Sequence, residues 1–300
     1  MRELMPFTAS RPAFGITPET AGLLCRISPA AIGRHLKTDK AALKVKGESL
    51  TKSLDSLSSR IPIRTFYSGA ERKTPGFRQT GTVRRCGQAA QGRYAYTLTA
   101  TEVSSGWIAL YSLLNNAHKW TFEALSDLKA SSLLPIREFR SDNGSEFINS
   151  AAESWRRQER LAFTRSRGRK KNDNCFDGQK NGAAVREYAG YDRLAGCEEQ
   201  ALPAAVCRPL VPLLSFFMPA QKLTSKTRIG SKEIKVYDRP RSPFQRLSES
   251  EELPGQIKDA LAAQCALYNP VELQHSVNKA ILRLRQRLAQ VNRIQTQERL

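Results

Sequence analysis

The first candidate for chemistry in this chain is a single carboxylate on a turn. In Ser141-Asp142-Asn143-Gly144-Ser145-Glu146-Phe147, Asp142 falls where a short strand-like run, Arg137 to Ser141, meets a turn signal. A carboxylate at a strand end is placed to bind a hard cation such as Mg²⁺, which takes oxygen ligands held on a rigid support. The same Asp-Asn-Gly sequence also serves as an ordinary hairpin or loop device, so the residues alone leave both readings open. A second feature is a run of cations: Arg156, Arg157, Arg160, Arg165, Arg167, Arg169, Lys170 and Lys171, with Glu159 the one acid among them. Guanidinium forks match phosphate oxygens and give affinity without choice of base sequence. A solvated face has the same composition, and position relative to Asp142 must decide between the two.

The elements that would position these residues can be read from periodicity. Phe77 to Cys86 is strand-like. Tyr94, Tyr96, Leu98 and Ala100 alternate with Thr97, Thr99 and Thr101, the pattern of a half-buried strand. After the turn Ser104-Ser105-Gly106, Trp107 to Leu113 gives a third strand. A helix over about 117–131, a strand over Arg137–Ser141, a helix over about 148–160, a strand over about 161–166 and a helix over about 174–189 complete the order β-β-β-α-β-α-β-α. That order predicts an α/β fold, a mixed sheet with helices packed against it. The cation run would then cover the fifth strand and the loop leading to the next helix, beside the Asp142 edge.

Around this core (77–217) three further regions separate. Residues 1–40 contain two short helical patterns, the second opened by Ser28 as N-cap and Pro29 at its first position. They match either the end of a helix-turn-helix, with Arg34, His35 and Lys37 outward, or any helical hairpin. Residues 41–76 read as a basic linker. Residues 218–300 begin with a basic, β-prone stretch, Lys222 to Tyr237. They end in a helix capped by Asn269-Pro270, where Val277, Ile281, Leu284, Leu288 and Val291 recur at heptad spacing. That stripe fits a coiled-coil seam or a helix packed on its own domain.

Composition narrows the partners. Lys and Arg number 48 against 28 Asp and Glu, a formal charge of +20, which points to polyanions and above all to nucleic acid. Six scattered cysteines and three histidines offer no zinc-finger spacing, and the cysteines read as reduced thiols of a cytoplasmic protein. The most apolar stretch, Leu202 to Ala220, carries Arg208, Pro203, Pro209, Pro212 and Pro219. A kinked, buried helix suits it better than a membrane span, and no membrane partner is expected.

The Ser141–Phe147 segment, followed by Thr164-Arg165-Ser166-Arg167 and Lys171-Asn172-Asp173-Asn174, resembles the integrase catalytic core of DDE transposases. Gln179-Lys180-Asn181, Val185-Arg186, Gly190-Tyr191-Asp192-Arg193, Gly230-Ser231-Lys232 and Tyr237-Asp238 continue the likeness, which runs over about residues 20–295. The resemblance implies a ribonuclease-H-like fold, DNA as substrate and partner, and three carboxylates holding two divalent metals, Mg²⁺ by expectation. Asp142 matches the second carboxylate. The first-strand position, within Phe77–Val83, falls on Gly81, and the family's spacing beyond Asp142 falls on Gly178. Asp142 is then the one metal ligand retained. Asp177, Asp173 and Glu102 are the available substitutes. Asp177 looks a weak one, since one helical step from Gly178 turns its side chain by about 100°. Lys180 joins the cation run as a DNA contact. The expectation is a DNA-binding member of the transposition and integration class, impaired in catalysis. The alternatives are an active strand transferase using substitute carboxylates, and a non-catalytic partner of an intact relative or of a second copy.

Overall fold

A computed structural model describes residues 17–36, 61–64, 69–87, 91–168, 173, 175–190, 192–194 and 197–297. Two short helices come first, α1 (Pro18–Arg26) and α2 (Pro29–His35). Each starts on a hydroxyl cap: Thr20 N donates to Thr17 Oγ1 at 3.2 Å and Ala31 N to Ser28 Oγ at 3.2 Å. Neither shape nor burial distinguishes them from a plain helical hairpin, since α1 buries no residue. Arg34 and His35 are exposed; Lys37 lies outside the described residues.

The central body is an α/β unit. Its strands are β1 (Phe77–Arg84), β2 (Tyr96–Glu102), β3 (Ile108–Leu113), β4 (Glu138–Ser141) and β5 (Ala162–Arg165), in the order β3-β2-β1-β4-β5. β1–β2 and β2–β3 pair antiparallel, whereas β1–β4 and β4–β5 pair parallel. Parallel neighbours require a crossover. α3 (His118–Ser131) and α4 (Ser150–Glu159) supply helices at those crossovers. Both pack on one face, where Phe122, Leu125, Leu128, Ala152 and Trp155 meet Leu98, Ala100, Phe139 and Phe163.

The opposite face carries α5 (Cys175–Lys180), which runs through a π-helical turn (Asn181–Arg186) into α6 (Glu187–Ala189), and then α7 (Cys197–Pro212). Three prolines lie inside α7, and a second π turn, Leu213–Phe217, follows it, the kinked buried segment that Leu202–Ala220 predicts. Arg85 holds the end of α6: its buried guanidinium donates to Ala189 O at 2.7 Å and Gly190 O at 2.8 Å, taking carbonyls that the helix leaves unpaired. Because this face is also covered, β2 is buried along its whole length rather than on alternate residues. Threonines look like an outward face in the sequence. Here they lie under helices.

Past the core, β6 (Leu223–Ile229) and β7 (Lys232–Tyr237) form a separate hairpin. α8 (Pro243–Ser248), α9 (Gly255–Ala266) and α10 (Pro270–Gln297) follow. In α10 the buried Val277, Leu284 and Leu288 join the cluster containing Val206, Leu210 and Leu213, so the heptad stripe packs on α7 of its own chain. The 41–76 region is not wholly a linker. Ile61 is buried in the core, and Ile63 bridges Arg165 in parallel, extending the sheet beyond β5. Residues 41–60 fall outside the described set. Among the described residues no helix is long and apolar enough to cross a membrane, and Cys86, Cys175, Cys207 and Cys265 are free thiols.

Candidate active site and nucleic-acid interface

Gly81 and Asp142 meet at the end of the sheet where β1 and β4 run in register, Thr80 opposite Ser141. The ends of parallel strands are where α/β proteins place ligands. A side chain at 81 would point under α5. A Cβ built there would be driven into Asp177 Oδ2 and stand 3.4 Å from Asn181 Nδ2. The carboxylate of Asp177 therefore fills the volume that glycine leaves. Gly178, by contrast, is exposed, and a Cβ there would meet nothing within 4 Å. Asp177, read from the sequence as turned away from Asp142, faces the sheet. The rotation of α5 is set by Gln79 on β1, whose Oε1 accepts from Phe176 N at 3.0 Å and Asp177 N at 3.3 Å while its Nε2 donates to Asp173 O at 3.0 Å.

Asp177 is completely buried among polar groups. Asn181, one helical turn on, donates through Nδ2 to Asp177 Oδ2 at 2.8 Å. Thr99 Oγ1 on β2 contacts Asp177 Oδ1 and also lies 2.6 Å from Asn181 Oδ1 and 3.2 Å from Gly81 O. One hydroxyl proton cannot serve three acceptors. Burial, with the Asp142 charge adding to it, pushes the Asp177 carboxyl up to about 8, against the pull of the Thr99 and Asn181 hydrogen bonds.

Asp142 is partly buried and accepts from Gly144 N at 3.0 Å, an Asx turn that ends β4. Burial and the nearby Glu146 push it up to about 6, against the pull of the Gly144 N–H and Arg84. Glu146 itself is buried, takes the Thr82 hydroxyl, and folds over Gly144, where a Cβ would lie 2.6 Å from its Oε2. Asn143 ties the turn to β5, donating to Ser166 O at 2.9 Å and accepting from Arg165 at 3.2 Å. Thr99, Gln79, Asn181 and Glu146 are thus parts of the site that the sequence reading passed over. The available signal was Asn181 at four residues from Asp177, a helical pair.

The other two substitutes are committed elsewhere. Asp173 is held by Arg167 through a forked pair, Nε at 2.8 Å and Nη2 at 2.9 Å, with Arg167 N at 3.1 Å. That ion pair keeps its carboxyl below the ordinary range. Glu102 lies opposite Arg78, toward the start of β1, and accepts from Ser104 N at 3.0 Å, Ser105 N at 2.7 Å and both serine hydroxyls. It organises the β2–β3 turn. Among the described residues no group of three or more His, Cys, Asp or Glu is placed to hold a metal ion. Asp177, buried and raised to about 8, and the partly buried Asp142 do not fit the two-ion clamp, which needs ligands for each ion and a shared bridge.

The cation run divides. Arg156, Arg157 and Arg160 sit at the end of α4, before β5 starts opposite Glu138. They are therefore at the end of the sheet away from Asp142. Arg157 pairs with Glu153 at 2.5 Å. A four-residue strand, roughly 13 Å, separates them from the Arg165 end. There Arg165 is buried and donates to Ile61 O at 3.0 Å, and Arg167 clamps Asp173. Both therefore hold the loop around the site together, so their removal would test folding before it tested DNA contact. Arg169, Lys170 and Lys171 lie outside the described residues. Lys180 is half-buried, near Gly106 at the β2–β3 turn, and burial lowers its pKa.

The fold and site define an α/β protein with a five-stranded mixed sheet, a buried Asp177 and a partly buried Asp142 at the β1–β4 end. The chain is similar to the uncharacterized protein y4rM of Sinorhizobium fredii (strain NBRC 101917 / NGR234), 29% identical over 244 residues, covering 81% of this chain and 69% of that protein. No family model matches the chain.

Proposed function

We propose that this chain is a DNA-binding protein of the DDE transposase and integrase class, on a ribonuclease-H-like core, with a dismantled strand-transfer centre. The observation that carries the reading is the strand order β3-β2-β1-β4-β5 with Asp142 at the end of β4 beside Gly81 of β1. That is the relative placement the resemblance requires of its first two carboxylates. The surplus of cations supports a polyanionic partner. The glycines at 81 and 178 and the burial that raises the Asp177 carboxyl to about 8 support the loss of metal-ion chemistry. Incubation of the native chain with supercoiled DNA in Mg²⁺ or Mn²⁺ is expected to give no nicked product. Without metal, the chain is expected to bind duplexes of unrelated sequence with steep salt dependence.

One observation favours a second reading: Asp142 lies close enough to Asp177 for its charge to raise the Asp177 carboxyl. A cation bridging that pair would make Asp177 a working substitute. Metal-dependent nicking by the native chain, abolished by Asp177→Asn, would establish that reading in place of the first.

A further inference from the structure

The β6–β7 hairpin buries neither of its faces: every residue of both strands is exposed, including Ile229, Ile234, Val236 and Tyr237. Two isolated strands are marginally stable in water and usually need a sheet or helix to pack on. This pair is held at its root instead. Lys222 N donates to Asp238 Oδ1 at 2.7 Å and Asp238 N to Lys222 O at 2.9 Å. Arg246 Nη1 donates to Asp238 Oδ2 at 2.5 Å, and Lys222 Nζ donates to Val103 O at 2.8 Å and to Ser104 O. The arm therefore springs from the β2–β3 turn, where Lys180 approaches closely enough to repel Lys222.

The two faces differ. The register sets Lys226 opposite Lys235 and Arg228 opposite Glu233 on one face. It sets Thr227 opposite Ile234, Ser225 opposite Val236, and Ile229 opposite Lys232 on the other. Like charges directly opposite each other destabilise a free hairpin. Glu233 offsets part of that repulsion, pairing with Lys226 at 2.7 Å and Lys235 at 3.3 Å. Lys226 and Arg228, two residues apart, stand about 6.8 Å apart along the strand, twice the ~3.4 Å rise per phosphate of one DNA strand. A two-stranded ribbon also fits the width of the major groove, where apolar side chains can meet thymine methyls.

Resting on the DNA-binding reading above, we infer that the β6–β7 hairpin is a DNA-gripping arm, with Lys226, Arg228, Lys232 and Lys235 on duplex phosphates. The occupant is nucleic acid because the arm's exposed cations, three on one face and Lys232 beside the turn on the other, are offset only in part by Glu233. The full chain, native and with Lys226→Ala, Arg228→Ala, Lys232→Ala and Lys235→Ala together, is titrated with a 30-base-pair duplex of arbitrary sequence across a salt series. Far-UV circular dichroism of both proteins checks the fold, and none of the four side chains touches the core. The salt slope of the quadruple variant should be shallower by about 3.6, each lost phosphate contact removing about 0.9. Lys→Arg at 226, 232 and 235 should restore binding to the native level. A native chain that binds with an unchanged slope in the quadruple variant overturns the arm and leaves the DNA-binding reading standing. A native chain with no salt-sensitive binding overturns both. Unchanged DNA binding together with loss of self-association in sedimentation would assign the hairpin to a second copy and overturn the arm.

Discussion

Asp177 is a buried acid whose carboxyl is raised by burial against the pull of its Thr99 and Asn181 hydrogen bonds, and this has a measurable pH signature. Its carboxyl is raised to about 8 from an ordinary 3.8, mainly by burial. A folded state that binds the proton more tightly than the unfolded chain gains stability that is complete below about pH 4. That gain declines through the window and is gone above about pH 8. Asp142, raised to about 6, adds to the decline at its lower end. Urea unfolding of the native chain should therefore lose on the order of 1 kcal/mol per pH unit between pH 6 and 8, and Asp177→Asn should flatten that segment. A slope unaltered by Asp177→Asn would place the proton elsewhere. Gly81→Ala gives a second residue-level test. In the native background it crowds the Asp177 carboxylate and should cost about 1–3 kcal/mol. In an Asp177→Ala background the penalty should vanish, a coupling that a double-mutant cycle reads directly. By the same geometry, Gly81→Asp with Gly178→Glu should stay silent in a nicking assay, whereas adding Asp177→Ala gives the restored carboxylate room.

At the scale of elements, the α10 stripe separates two models of the C-terminus. Leu284 is buried against α7. Leu284→Ala should lower stability by about 2–5 kcal/mol, whatever the protein concentration. A midpoint that moves with concentration would instead indicate a seam between chains. The order and type of the core elements were legible because their periodicities are strong: alternating Tyr94–Thr101 for β2, and Trp120, Leu125 and Leu128 for α3. What periodicity does not carry is which faces become covered. Thr97, Thr99 and Thr101 read as a wet face because hydroxyls suit water; the helices of the second layer bury them, and Thr99 becomes part of the site. The rotation of α5 was equally hidden, because Gln79 fixes it from almost a hundred residues away. Counting from Asp142 lands on the exposed Gly178, one residue from the buried Asp177.

For the molecule as a whole, the cations fall into separate sets rather than one stripe: the α4 end, the Arg165–Arg167 loop, and the hairpin arm. Only the first and last are free of duties in holding the site together. If DNA lies across the Asp142 end and the arm, Arg156→Ala with Arg160→Ala should leave the salt slope within about 1 of native, since those side chains project from the far end of the sheet. A fall as large as the one expected for the hairpin variant would move the DNA path to α4. The charge total alone pointed to a polyanion. Where that polyanion lies depends on chain direction through α4 and β5, which carries sequence neighbours to opposite ends of one layer.

The contact between Gly81 and Asp177 also works as a ratchet on the history of the sequence. A carboxylate at 81 and the present packing of Asp177 exclude each other, since a Cβ at 81 already collides with Asp177 Oδ2. A lineage carrying this pair cannot place an acid at position 81 by one substitution without displacing the Asp177 carboxylate. Position 177 must change first, and that step strips Thr99 and Asn181 of their buried partner. The intermediate is worse packed than either end. Selection for stability alone therefore holds the site in its present form.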